Sequence, residues 1–362
     1  MKVFAVLTCV VLICAMVLSG CDTAPAPTAT DGQGNAGTGG QVTLKVYNWG
    51  EYIAPDVLEN FTKETGIKVE YDTFNDNESM YTKVRNSGSD SYDIVVPSDY
   101  MVKKMIADDM LAKINYDNIP NIENLDPTFA ALSYDPDGEY SVPYLWGTVG
   151  ILYNITKAEK ELTSMRDLFD PAFSRQICML DSMRDSIGMT LKMLGYSMND
   201  TNVIHINEAR DALIEQKQHV LAYGTDEIPP KIATGAASMA LVFSGEGIRY
   251  AEEDPENLRF VIPSEGSNFA VDAFVILKTT KHQKEAEMFI DYMLDPEVAK
   301  ANTEETGYST TNAAAKELLD DDMKNDESRY PSPEVMARCE IFETIPSENR
   351  AYVDAWAMIK AK

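Results

Sequence analysis

The sequence predicts an α/β protein built as two lobes, and three observations carry that expectation. From residue 42 onward, strand-like and helix-like stretches alternate in the order βαβαβ, the pattern of a parallel sheet with crossover helices. The third of these strands, 92–98, is a short and nearly continuous apolar run, as expected for a parallel strand covered on both faces. The stretch from residue 42 to residue 362 is long for one core, because single cores stop growing at roughly 250–300 residues.

The chain begins with Lys2, an apolar run from Val3 to Val17, and then Leu18-Ser19-Gly20-Cys21. A charged start, a short apolar stretch and small residues before a cleavage point make a secretory signal. The run is too short for a bilayer span of about 20 residues. Its ending resembles a bacterial lipoprotein signal, which implies cleavage after residue 20 and a lipid on Cys21. Residues 21–41 then form a tether rich in Pro, Gly, Ala and Thr, a flexible composition.

Each following element has its own signal. VTLKVYN (42–48) alternates apolar and polar residues, as a half-buried strand does. In 55–66, Val57, Leu58 and Phe61 share a helical face between Pro55 and Gly66, which open and close helices. IKVEYDTF (67–74) is the second strand, and 77–88 a helix for which Asp76 and Glu78 are read as capping acids. Ser98 is placed to N-cap the helix after the third strand. PYLWGTVGILYN (143–154) is a strand long enough to cross between lobes. Strands are expected at 174–180, 237–243, 257–266 and 268–278, and helices at 185–197 and 206–218. SGEG (244–247) reads as a Gly-rich turn, and 284–307 as a helix broken near Pro296.

The formal net charge is −27, or −28 once Lys2 leaves with the signal. Such a field repels nucleic-acid phosphate and anionic lipid and attracts cations. Beyond the signal and Cys21, only Cys178 and Cys339 remain; two cysteines make no disulfide framework, and free thiols are expected. His205, His219 and His282 lack metal-ligand spacing. No metal, cofactor or nucleic acid is expected.

In parallel sheets, ligands sit beyond the carboxyl ends of the strands. Trp49, Glu51 and Tyr52 follow the first strand, Asp76 and Glu78 the second, and Ser98 and Tyr100 the third. Acids interleaved with aromatics suit an aliphatic polycation: carboxylates pair with ammonium groups, and rings cover methylenes and attract cations. Asp272, inside the apolar FAVDAF run, is an acid whose burial needs a partner. Alternatives stay open for Glu51 as a solvated loop charge, Asp185 as a first-turn helix acid and Glu246 as an exposed turn residue. A hydrolase using Asp185 and Asp272 as paired carboxylates, or the same fold with another small solute, is the competing function.

The stretch VYNWGEYIAPDVLENFTKETGIKVEYDTFNDNESMYTKV resembles the exported spermidine/putrescine-binding proteins of bacterial polyamine importers. So do YDIVVPSDY, Asn-Leu-Asp-Pro at 124–127, SVPYLWGT, MLGYS, LDPEVAK and Thr-Gly-Tyr at 306–308. The resemblance implies the two-lobed periplasmic-binding-protein fold of type II, each lobe a mostly parallel sheet flanked by helices, with ligand in the cleft. It implies lobe 1 from 42–150 and 271–313, and lobe 2 from 151–270 and 314–362. A monomer is expected that is no enzyme, is tethered at the periplasmic face of the inner membrane, and delivers putrescine or spermidine to ABC transporter permease subunits. Ligand-binding roles are implied for Trp49, Glu51, Tyr52, Ser98, Tyr100, Asp185, Phe243, Glu246, Asp272 and Tyr308. Ala270, Ser182 and Phe342 depart from the spermidine pattern, as does Phe243 where a Trp is usual; Ala270 and Ser182, with Glu246, lean the expectation towards putrescine.

Overall fold

A computed structural model describes residues 41–88, 91–346 and 349–362. The signal, the tether and Cys21 lie outside the described residues. The chain from Gln41 to Lys362 forms one compact unit.

The first half opens with β1 (Thr43–Trp49), α1 (Val57–Thr65), β2 (Lys68–Phe74), α2 (Asn77–Asn86), β3 (Ile94–Val95) and α3 (Asp99–Ala107). β1 pairs in parallel with both β2 and β3, as right-handed crossovers require. Gly66 ends α1 in the left-handed region at φ 75, a conformation glycine adopts without strain.

β4 (Ser141–Asn154) is buried along its whole length. Its first part pairs antiparallel with β9 (Phe269–Ile276), and its second with β7 (Met239–Phe243) and β8 (Leu258–Val261). The second half also contains α4 (Ile155–Ala158), β5 (Ile177–Leu180), α5 (Met183–Met193), α6 (Val203–Lys217), β6 (Val220–Gly224), α7 (Pro229–Ala233) and α8 (Ser244–Glu253). β5 is parallel to both β6 and β7. The order β2-β1-β3-β9-β4-β7-β5-β6 is therefore two parallel cores joined by β4 and β9, which run antiparallel to their neighbours because they carry the chain across in opposite directions.

α9 (Gln283–Met293) and α10 (Pro296–Thr306) are separate helices, split before Pro296 as the sequence predicts. α9 returns to the first half, where Phe289 meets Phe61 edge-on at 5.2 Å. Both rings are fully buried; truncating one costs about 3–5 kcal/mol.

One local expectation is corrected. SGEG is not a turn but the first turn of α8. Its glycines serve packing: a Cβ at Gly245 overlaps the Tyr308 ring, and one at Gly247 overlaps Phe260. Close approach, not turn formation, selects glycine here.

Candidate ligand-binding site

A cleft opens where the two halves meet. Its wall combines the loops after β1, β2 and β3 with the first turns of α5 and α8 and one face of β9. Every side chain singled out as a ligand contact lies on this wall: Trp49, Glu51, Tyr52, Ser98, Tyr100, Asp185, Phe243, Glu246, Asp272 and Tyr308. Ala270, Ser182 and Phe342 line it as well.

Asp272 is held by neutral donors. Tyr52 donates to its Oδ2 at 2.6 Å, and Ser98 to its Oδ1 at 2.6 Å. Asn77 donates in turn to Ser98 Oγ at 3.0 Å. Ser98 occupies the N-cap position of α3, but its side chain makes no cap bond; the hydroxyl is committed to Asp272 instead. Burial pushes Asp272 up to about 6, against the downward pull of Ser98 and Tyr52. The charged form dominates at neutral pH, without a cationic partner in its hydrogen bonds.

Asp185 repeats the arrangement on α5. Ser182 Oγ donates to it at 2.5 Å and Asn268 Nδ2 at 2.9 Å. Burial raises it to about 6. Its first-turn place on α5 favours the charged form through the helix dipole, so helix acid and cleft acid are the same residue here.

Glu246 lies in the first turn of α8 and is 7% exposed. Burial, followed by the charges of Asp226 and Glu51, pushes it up to about 8. Asp226, after β6, also lines the cleft and is raised by burial and by Glu51. Glu51 itself is exposed, with φ 46, and pairs with Arg249 at 2.6 Å. Its carboxylate is thus already matched by a cation.

The apolar surface is aromatic. Trp49 contacts Phe74 at 4.5 Å and Phe243 edge-on at 6.3 Å. Tyr52 meets Tyr308 edge-on at 4.7 Å. Tyr100 packs edge-on against Phe342 at 5.9 Å, and its hydroxyl donates to Glu78 Oε1 at 3.0 Å.

Glu78 is a second correction. Asp76 does cap α2, accepting from Ser79 N at 2.8 Å, but Glu78 is turned to Tyr100 and the cleft. Sequence reasoning also passed over Asp226 and Asn268. The alternation 268, 270, 272 on one strand face was a usable signal for Asn268. Asp226 follows β6, whose five residues carry no clear alternation in the sequence.

Among the described residues, the lining includes Asp and Glu side chains and no Lys, Arg or His. Among the described residues, no three His, Cys, Asp or Glu gather closely enough to hold a metal ion. Buried carboxylates spread along an aromatic cleft can each accept N–H bonds from a separate cationic group of one extended ligand.

Residues 56–331 match the family described as bacterial extracellular solute-binding protein. The chain belongs to this family. It is 36% identical over 320 residues to the spermidine/putrescine-binding periplasmic protein of Salmonella typhimurium, covering 88% of this chain and 92% of that protein. Its fold superposes on the spermidine/putrescine ABC transporter substrate-binding protein PotD of Streptococcus pneumoniae with a TM-score of 0.75, at 39% identity and covering 89% and 99% of the two chains. The TpPotD lipoprotein of Treponema pallidum gives a TM-score of 0.77 at 26% identity, covering 88% and 100%. These likenesses, with the α/β architecture and its cleft, establish the fold of a family binding protein.

Proposed function

We propose that this protein is a polyamine-binding lipoprotein that captures putrescine or spermidine outside the cytoplasm and delivers it to the permease of an ABC importer. The carrying observation is the cleft's acidity: Asp272, Asp185 and Glu246 are buried on its wall, and among the described residues that line it none is basic. A buried carboxylate with no cation is costly, and a linear polyamine supplies several ammonium groups on one methylene chain. Aromatic rings along the same wall suit the methylenes. The names of the Salmonella typhimurium and Streptococcus pneumoniae relatives support the ligand class and the transport role. A binding role without catalysis fits both.

Lipid attachment at Cys21 is supported by the Leu18-Ser19-Gly20-Cys21 sequence and by the lipoprotein relative. Among the described residues no helix is long and apolar enough to cross a membrane. The tether then holds a monomer near the inner-membrane permease. We assign contact roles to Trp49, Tyr52, Ser98, Tyr100, Asp185, Phe243, Glu246, Asp272 and Tyr308, and give Glu51 the lesser role of a charge paired with Arg249.

Thermal unfolding with 1 mM putrescine or spermidine, against butane-1,4-diol and glutamate, tests the assignment. A ligand at 1,000 times its Kd stabilises by about 4 kcal/mol, so one or both polyamines should raise Tm by several degrees while the diol and the anion leave it unchanged. No shift with either polyamine refutes the proposal.

A further inference from the structure

We propose that Asn268 is a ligand-contacting residue of this cleft, supplying a neutral acceptor for the ammonium group that Asp185 holds. The inference rests on the polyamine reading of the site. Asn268 is 3% exposed and lines the cleft just before β9, in alternation with Ala270 and Asp272. Its Nδ2 donates to Asp185 Oδ1 at 2.9 Å. An ionised carboxylate only accepts, so this contact fixes which way the amide is turned. The carbonyl oxygen is then directed away from Asp185, and among the described residues it is buried without a hydrogen-bond partner.

Unpaired buried acceptors are rare in native proteins and call for a group that satisfies them. An ammonium carries three N–H donors. Asp185 already receives Ser182 and Asn268, which leaves it few lone pairs. A carbonyl alongside completes the ammonium's hydrogen bonds without adding a like charge. An aliphatic residue at 268 would leave both Asp185 and the ammonium short of one partner.

The test is calorimetric titration of the parent, N268L and N268S with putrescine and spermidine, repeated in a D185N background. N268L should weaken at least one polyamine by tenfold or more, with N268S in the same direction, and the loss should persist at several-fold when Asp185 is already Asn. N268S carries the test if N268L does not fold. Affinities within twofold of the parent for both polyamines overturn the inference. A loss that vanishes in the D185N background also overturns it, because Asn268 then acts only by holding Asp185. If the parent itself binds neither polyamine, the functional reading fails before any substitution is made, and this inference falls with it.

Discussion

Replacing Asp272 by Asn should move stability and affinity in opposite directions. Asp272 is buried and raised from 3.8 to about 6, a shift of about two units, each worth 1.36 kcal/mol. The sign follows from linkage. A carboxyl whose folded pKa lies above its unfolded value stabilises the fold fully below about pH 4, and that contribution fades as pH rises through 6. Above pH 7 the ligand-free protein therefore carries a burden on the order of 3 kcal/mol from this one charge. Asn keeps the shape and can still accept from Ser98, while the Tyr52 hydroxyl turns to accept from its NH2. Part of the burden is relieved, so the ligand-free D272N variant should melt a few degrees higher at pH 8, with little difference near pH 4. Affinity moves the other way. Removing one partner of a desolvated charge pair costs about 2–5 kcal/mol, and the burden at Asp272 puts this site in the upper part of that range. Putrescine or spermidine should bind roughly 150- to 5,000-fold more weakly at about 3–5 kcal/mol. Scanning calorimetry at pH 4 and 8, with titration calorimetry at pH 7.5, reads both. Unchanged affinity refutes Asp272 as an ammonium partner, and a lower Tm at pH 8 refutes its unrelieved charge.

Two further outcomes follow from the α8 side of the cleft. Glu246 sits at about 8 in the ligand-free site, so at pH 7 it is mostly protonated, and an arriving ammonium favours its charged form; binding should release most of a proton. Titration at pH 7 in buffers of different ionisation enthalpy measures that release, and E246Q should abolish most of it. Gly245→Ala should weaken binding at least fivefold, because its Cβ overlaps the Tyr308 ring and must push that ring out of place; an unchanged Kd for both polyamines would count against Tyr308 as a wall.

Much of the fold was legible because its signals are local. The alternation in β1, the Gly66 stop and the split before Pro296 depend on near neighbours in the chain, and the structure follows them. SGEG was misread because the reason for its glycines is tertiary: Tyr308 arrives from far along the sequence. The site was legible to the extent that its residues follow strands or break an apolar run, as Trp49, Ser98 and Asp272 do. Glu78 was assigned to a helix start because a first-turn acid has a sufficient local explanation, and only the fold brings Tyr100 to it. The pairing of Glu51 with Arg249 across 198 positions likewise has no sequence signal. Asn268 opens the strand expected at 268–278, and nothing local in the sequence ties its amide to Asp185, which only the fold brings to it.

The most direct test of the account is titration of the ligand-stripped protein with butylamine, putrescine, cadaverine, spermidine and spermine under one set of conditions. The central claim is that separate buried carboxylates grip separate ammonium groups of one chain. Butylamine has the four-carbon chain of putrescine but one charge, and loss of a buried ion-pair partner costs about 2–5 kcal/mol. The account predicts that putrescine or spermidine binds at least 30-fold more tightly than butylamine. Equal affinity for butylamine and the polyamines, or no heat of binding from any of them, contradicts it.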